Sequence, residues 1–345
     1  MGVAITELLI RKEIEIRELN NKIIVVDAPL WLYQFLSSIR QVDGSPLMDS
    51  KGNVTSHLSG LFNRSIKLME RGIRLAYCFD GKPPELKKQE QKRRAELKEE
   101  AELRYKEALK KEDIKEMKKY ASRTSRLTED MIKESKKLLN ALGIPVIEAP
   151  SEAEAQASHI VKKGDAFAVG TNDADCLMFS ALRIVRNLNI AGKRKRTNKL
   201  AYETIKPELI ELSENLNNLG IDNDQLIALC MLVGTDYNVG GIRGIGQKSA
   251  LKLVKRYKSN FDGLFKEVRW DENFEFPWTD VFYLIKKMPV NDNYSLEWEG
   301  LDKEKILKIL VDEHDFSEER VNNALKKLIE EKEKRKQKGL QEFFK

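Results

Sequence analysis

Three stretches share one pattern: Ile23-Ile24-Val25-Val26-Asp27, Leu75-Ala76-Tyr77-Cys78-Phe79-Asp80, and Phe167-Ala168-Val169-Gly170-Thr171-Asn172-Asp173-Ala174-Asp175. Each runs strongly apolar at consecutive positions and then meets an aspartate. Unbroken apolar runs suit strands covered on both faces, as in a parallel sheet, whereas alternating runs suit a sheet wetted on one side. Open parallel sheets place their ligand sites beyond the carboxyl ends of the strands. Asp27, Asp80, Asp173 and Asp175 are therefore expected to converge on one sheet edge. Carboxylates at close quarters repel, and some would protonate unless cations sit among them, so the cluster reads as a site for divalent metal.

Outward from these strands, helices and turns alternate. Residues 31–39 predict a helix, residues 43–53 a turn-rich segment, and residues 58–71 a helix leading into the Asp80 strand. Gly81, Pro83 and Pro84 then end that strand and redirect the chain. Residues 85–120 read as a charged helical stretch whose sparse apolar residues (Leu86, Leu97, Leu103, Leu109, Met117) make a stripe too thin for a core. Thr128 opens a fresh helix that closes at Leu142-Gly143. Residues 144–147 form a short strand, followed by Ala149-Pro150-Ser151-Glu152-Ala153-Glu154. Ser151 and Glu154 match a capping box, so the two glutamates are either ordinary first-turn acids or, at the helix terminus, further members of the acidic site. An apolar helix over residues 225–233 precedes Gly234-Thr235-Asp236-Tyr237.

A chain of 345 residues, 41% hydrophobic and 34% charged, can hold one large α/β domain with insertions or two smaller ones. No stretch approaches a membrane span, and the start lacks a secretory pattern, so an intracellular protein without a membrane partner is expected. Cys78, Cys176 and Cys230 lie in apolar surroundings without metal-ligand spacing, which fits reduced core thiols. Residues 82–126 hold 16 Lys or Arg against 10 Asp or Glu, a surplus equal to the net charge of +6. A second island, Gly192-Lys193-Arg194-Lys195-Arg196-Thr197-Asn198-Lys199, is basic with no acid. Basic surface beside an acidic cluster suggests a polyanion held by Lys and Arg while metals act on one of its phosphates. For the first stretch, a solvated helix face is the alternative.

Two further segments carry resemblances. Gly241-Ile242-Arg243-Gly244-Ile245-Gly246-Gln247-Lys248-Ser249-Ala250-Leu251-Lys252 resembles the helix-hairpin-helix elements that bind DNA backbone, with glycine amides at a helix start as a phosphate cradle. The end, Gln337-Lys338-Gly339-Leu340-Gln341-Glu342-Phe343-Phe344-Lys345, has a phenylalanine pair with no core of its own. A mobile tail that folds into an apolar groove gives such residues a reason. Gln337, Leu340, Phe343 and Phe344 resemble the sliding-clamp (PCNA) interaction motif.

With Met1-Gly2, Tyr33-Gln34-Phe35-Leu36, Thr55-Ser56-His57-Leu58 and Phe79-Asp80-Gly81-Lys82-Pro83-Pro84, these segments resemble the flap endonuclease family of structure-specific 5′ nucleases over most of the chain. The resemblance implies an α/β fold whose central, mostly parallel sheet is flanked by helices, with a helical arch and a helix-hairpin-helix element. It implies that Asp27, Asp80, Glu152, Glu154, Asp173, Asp175 and Asp236 surround two Mg2+ ions, with Mn2+ as a substitute. Glu152 and Asp236 would act partly through water. Lys87 and Arg94 match the catalytic basic pair that stabilises the scissile phosphate. Tyr33 matches the aromatic on which a base stacks, the alternative being a core aromatic.

Arg40, Thr55, Gly234, Gly244, Gly246, Lys248 and Lys252 are the further expected DNA contacts. The implied regions are 1–99, an N-terminal nuclease region; 100–127, an arch beginning near residue 85; 117–261, an internal nuclease region with the hairpin; 262–330, C-terminal helices; and 331–345, the clamp-binding tail. An extended first helix over residues 7–20 is a departure from the family. The implied activity is Mg2+-dependent 5′ flap endonuclease and 5′-3′ exonuclease cleavage in Okazaki fragment maturation and DNA repair. The expected partners are branched DNA and the sliding clamp, bound by a monomer. An archaeal cytoplasm is the expected location, a nucleus the eukaryotic alternative. The rival reading is a non-catalytic DNA-binding adaptor tethered to the clamp.

Overall fold

The computed structural model describes residues 3–111, 113–121, 123–190, 192–195 and 202–343; the side chains at 114, 115, 118, 192–195, 202–204, 336 and 338–343 lie outside that description. Its strands are β1 (Lys12–Glu13), β2 (Ile23–Asp27), β3 (Arg74–Phe79), β4 (Val146–Glu148), β5 (Ala168–Gly170), β6 (Arg183–Arg186), β7 (Gly192–Lys195), β8 (Tyr202–Ile205) and β9 (Glu208–Glu211). Seven of them form one sheet in the order β1-β9-β6-β5-β2-β3-β4, and β7 and β8 make a separate antiparallel hairpin. The pairs β4-β3, β3-β2, β2-β5 and β5-β6 are parallel, while β9 runs antiparallel to β6 and β1. The three apolar runs thus become neighbouring strands at the centre of a mostly parallel sheet.

Both faces of that sheet are covered, which explains the unbroken apolar runs. Val25, Ala76, Cys78 and Val169 join the core on one face, while Ile24, Val26, Leu75 and Tyr77 join the core on the other. Successive side chains point to opposite faces of a strand, so a central strand with two dry faces needs an apolar residue at every position. Burying each such Val, Ile or Leu contributes about 1.5–3 kcal/mol.

The helices that position the site are α1 (Ala28–Ser38), α2 (Ser56–Met69), α3 (Lys88–Lys110), α4 (Ile114–Ala121), α5 (Glu129–Ala141), α6 (Ala153–Lys163), α7 (Asp175–Met178), α8 (Leu212–Leu219), α9 (Asn223–Val233) and α10 (Gln247–Tyr257). Helices α1, α2 and α5 back one face of the sheet, and α6, α7 and α9 back the other. The charged stretch after Pro84 is a single 3-10 turn, Glu85–Lys87, followed by two helices rather than one. The chain breaks at Lys111, and α4 packs back against α3. Of the described residues of α3 only Glu90, Ala101 and Ala108 are buried, so the pair stands off the core as the thin apolar stripe foretold.

Residues 7–20 do not form the expected helix. They make two short 3-10 turns, Thr6–Leu8 and Ile16–Leu19, around the edge strand β1. Ile5, Leu9, Ile14 and Leu19 are buried at spacings that fit no helical face, and pairing with β9 overrides local propensity. At the other end, a helix from Glu318 to Phe343 packs on α2, whose terminal carbonyls at Met69 and Glu70 accept from the Arg335 guanidinium. Gln337 is exposed on this helix, so its backbone is helical where a separate tail was expected. The side chains of Leu340 and Phe343, and all of Phe344, lie outside the described residues. No helix among the described residues is long and apolar enough to cross a membrane.

Candidate active site at the carboxyl edge of the sheet

The carboxyl ends of β2, β3 and β5 deliver their aspartates to one edge. Asp27 closes β2 and caps α1, its Oδ1 accepting from Leu30 N at 3.2 Å. Its Oδ2 accepts from the buried Thr171 hydroxyl at 3.4 Å, and the same hydroxyl accepts from Asp173 N at 3.1 Å. Thr171 therefore ties the β5 loop to the end of β2. Asp173 Oδ1 accepts from Asp175 N at 3.2 Å, and Asp175 Oδ1 accepts from Val3 N at 2.6 Å.

Asp80 follows β3, and Gly81 lets the chain lie against residues 149–151. A Cβ at Gly81 would stand 2.1 Å from Ala149 O. Asp80 Oδ1 accepts from Ala153 N at 2.8 Å, so it is Asp80 that caps the start of α6. The capping box is not formed. Glu152 is the cap residue and makes no side-chain cap bond, and the Ser151 hydroxyl donates to Lys82 O at 3.1 Å. With that duty taken by an acid from another strand, Glu152 and Glu154 are left to face the edge. Asp236 arrives from the turn after α9, which Asn238 braces through bonds to Thr235 and Met231 O. Gly234 serves this turn rather than an open surface: its φ is +111°, and a Cβ there would meet Gly241 N at 2.7 Å.

Two cations descend from the base of the arch. Lys87 Nζ donates to Glu152 Oε2 and stands 3.6 Å from Asp236 Oδ2. Arg94 Nη2 donates to Asp236 Oδ1 at 2.8 Å and Oδ2 at 2.9 Å. Between arch and edge lies a cavity of about 540 Å³ lined by Tyr33, Asp80, Lys87, Arg94 and Glu152 among others. A second opening, about 700 Å³, lies under the arch between Tyr33, Arg93, Leu97, Lys98, Tyr120 and Arg123. Tyr33 lines both and is 38% exposed, with Lys98 Nζ 4.8 Å from its ring centre. It is therefore not a core residue as its neighbours Trp31, Phe35 and Leu36 are.

Burial and mutual repulsion govern the acids. Burial, then the charge of Asp80, pushes Asp27 up to about 7. Burial and the charge of Asp173 push Glu154 and Asp175 well above the usual carboxylate range. Burial likewise raises Glu152, against the pull of Lys87. A divalent cation fits this donor set: the ligands are hard oxygens, and its charge would relieve the repulsion that now favours protons. As the side chains stand, no three acids among the described residues are gathered closely enough to hold one ion. Lys87 and Arg94 hold Glu152 and Asp236 instead.

The other expected contacts divide. Lys248 and Lys252 are exposed on α10, and Gly244 and Gly246 are open to solvent at the start of that helix. Helices α9 and α10 pack together across the glycine-rich turn. Thr55 is buried ahead of α2, its N–H bonded to Leu47 O. Arg40 is committed within the protein, donating to Gly44 O at 2.9 Å and Ser125 Oγ at 2.6 Å. Sequence reasoning missed Thr171, Asn189 and Glu90. Asn189 joins Asn172 and Gln34 behind the β5 loop, through partners far apart in the chain that leave no local signal.

Residues 2–101 match the XPG N-terminal domain, and residues 143–236 match the XPG I-region. Flap endonuclease 1 of Pyrococcus furiosus is 51% identical over 349 residues, covering 100% of both chains. The solved flap endonuclease-1 from Methanococcus jannaschii is 44% identical, with a TM-score of 0.74 over 96% of this chain and 98% of that one. The catalytic core of Rad2 in complex with DNA substrate shares the fold, with a TM-score of 0.68 at 24% identity over 95% of this chain and 100% of that one. An acidic sheet edge under a cationic arch, carried on these two regions, defines a nuclease of the XPG class. Within that class, the chain belongs to the flap endonuclease family.

Proposed function

We propose that this protein hydrolyses a DNA phosphodiester at a junction of single and double strand, releasing 5′ flaps as a structure-specific endonuclease with accompanying 5′-3′ exonuclease activity. The observation that carries the reading is the placement of Lys87 and Arg94, two arch cations paired across a slot with Glu152 and Asp236. Opposed charges of this kind can exchange partners. A phosphate entering the slot takes the two cations, and the freed acids turn to metal. When bound, two divalent ions held by Asp27, Asp80, Glu154, Asp173 and Asp175, with Glu152 and Asp236 partly through water, supply Lewis acidity and a lowered water pKa. Mg2+ suits the all-oxygen donors, and Mn2+ can replace it.

Lys87 and Arg94 offset charge growing on the phosphate, a contribution of about 10²–10³ in rate for each well-placed donor. Tyr33, exposed where both openings meet, offers its ring to the base beside the cut. The hairpin lysines hold duplex backbone away from the cut. The C-terminal residues Gln337, Leu340, Phe343 and Phe344 join the enzyme to a sliding clamp, which places the reaction in Okazaki fragment maturation and repair. The test is cleavage of a 5′-labelled double-flap DNA with Mg2+, beside plain duplex, a 3′ flap and an RNA hairpin, for wild type and Asp175→Ala. A cut at the 5′ junction, lost in the variant while DNA binding persists, is expected. Binding without cutting by either protein would establish the adaptor instead. Addition of sliding clamp should stimulate the full chain and not one ending before Gln337.

A further inference from the structure

Glu90 is out of character with its helix. Helix α3 is a solvated rod, yet this acid is 2% exposed, while the other two buried positions described on the helix are alanines. A carboxylate leaves water only when cations satisfy its oxygens. Arg93 donates Nε to Glu90 Oε2 at 2.7 Å and Nη2 to Oε1 at 2.8 Å, and Arg94 donates Nε to Oε1 at 2.5 Å. Burial alone would raise the Glu90 carboxyl, but the two guanidinium groups hold it below its ordinary range, so it stays ionised. One more anion so near Asp236 works against the charge balance of the site unless it serves a cation there.

The guanidinium of Arg94 is in fact divided between two acids. Its Nε edge is held by Glu90, four residues earlier on the same helix, and its Nη2 reaches both oxygens of Asp236. A glutamate one turn before an arginine is the favourable order for such a pair. Asp236 sits across the slot and is an expected metal neighbour, so its hold on Arg94 is the one that substrate and metal break. The Glu90 contact lies within the arch and survives that exchange. A planar fork already fixed along one edge has little freedom left to lose when its other edge meets a phosphate.

We propose that Glu90 is a positioning residue for the cleavage reaction: it grips Arg94 through Nε and keeps the Nη groups aimed into the slot when phosphate replaces Asp236. The inference rests on the flap-nuclease reading above. Among the described residues Lys87 pairs only with Glu152 and Asp236 across the slot and with no acid of the arch, so the two cations differ: Arg94 is aimed by a fixed partner and Lys87 moves with the phosphate.

The experiment compares wild type, Glu90→Gln, Glu90→Asp, Arg94→Ala and the double variant Glu90→Gln/Arg94→Ala. Single-turnover cleavage of a double-flap DNA at saturating enzyme with Mg2+ is measured beside DNA affinity with Ca2+ in place of Mg2+, thermal melting and helix content. Glu90→Gln should slow the saturated rate roughly ten- to hundredfold, the size expected when a catalytic group is misaligned. Affinity, melting and helix content should stay near wild type, and Glu90→Asp should recover part of the rate. Adding Glu90→Gln to Arg94→Ala should cost little more, because the residue being aimed is already gone. The proposal is overturned if Glu90→Gln keeps the wild-type rate, if the two changes multiply, or if the loss follows weakened binding or a melted arch. A wild type that cuts no flap overturns the flap-nuclease reading itself, which keeps the two failures distinct.

Discussion

The sheet edge and the arch face each other across one slot, and they are built on opposite principles. At the edge, Asp27, Glu152 and Asp175 are 4–5% exposed and sit where parallel ladders and two dry cores put them. They cannot move far, so burial, and after it repulsion, shows up as raised proton affinity. On the arch, Lys87 sits in the turn before α3 and Arg94 on that helix, which has almost no core of its own; Lys87 pairs with the acids opposite, and Arg94 is shared between Asp236 opposite and Glu90 on its own helix. The edge is held by burial and tolerates unfavourable charge, whereas the arch is held largely by charge and can let go. A site that must admit both metal and a polyanion gains from one wall of each kind.

If the edge acids are strained passengers of a rigid frame, removing one should abolish chemistry without loosening the fold. Asp27→Asn keeps an oxygen for Leu30 N, and its amide nitrogen can donate to the Thr171 hydroxyl oxygen where Oδ2 now accepts, so the cap and the tie both persist. Cleavage should fall by at least about 10³-fold if Asp27 holds metal as proposed. Metal-free melting at pH 8 should nevertheless rise, because a buried repelling charge has gone. A variant that melts lower would mean that Asp27 supports the fold, and the contrast between the two walls would fail.

The frame of the edge was legible in the chain because burial on both faces writes itself into every position of a strand. Ile23 to Asp27, Leu75 to Asp80 and Phe167 to Asp175 could hardly be read otherwise, and they gave away the sheet and four of the acids. The arch was legible as an outline only. Its charge and thin apolar stripe marked it as outside the core, but the break at Lys111 lacks the proline or glycine that announces a helix end. Residues 7–20 were misread because β1 is made by a partner some two hundred residues away. The cap of α6 was left open for a similar reason: a serine and a glutamate with the right spacing were present, and only the fold shows that Asp80 reaches Ala153 N instead. What the sequence hides here is chiefly which distant group meets which.

Proton linkage sharpens the contrast further. Asp27 titrates at about 7 in the fold against 3.8 for the free carboxyl, so between those values the folded state holds a proton that the unfolded chain does not. A raised carboxyl of this kind stabilises the metal-free fold fully at low pH and loses that contribution as pH rises through 7. Melting in a chelator should therefore drop by several degrees from pH 5 to pH 8. Mg2+ should restore most of the loss at pH 8 and do little at pH 5, where protons already occupy the acids. A melting point that ignores pH would show that the acids are not strained as described.

The smallest effects should come from the third element of the surface, the hairpin before α10, which shares neither wall. Lys248 and Lys252 are exposed there beside open glycine backbone, with none of the burial that raises the edge acids. Groups of this kind act on a nucleic acid by displacing counterions. Each lysine replaced by alanine should lower the slope of log affinity against log salt by about 1, equally for every duplex-bearing substrate. The rate at saturating enzyme should not change, because neither lysine touches the slot. A fall in that rate would mean that the hairpin aligns the cut phosphate as well as holding the duplex, and the division of labour between a charged grip and a buried acidic edge would have to be redrawn to include it.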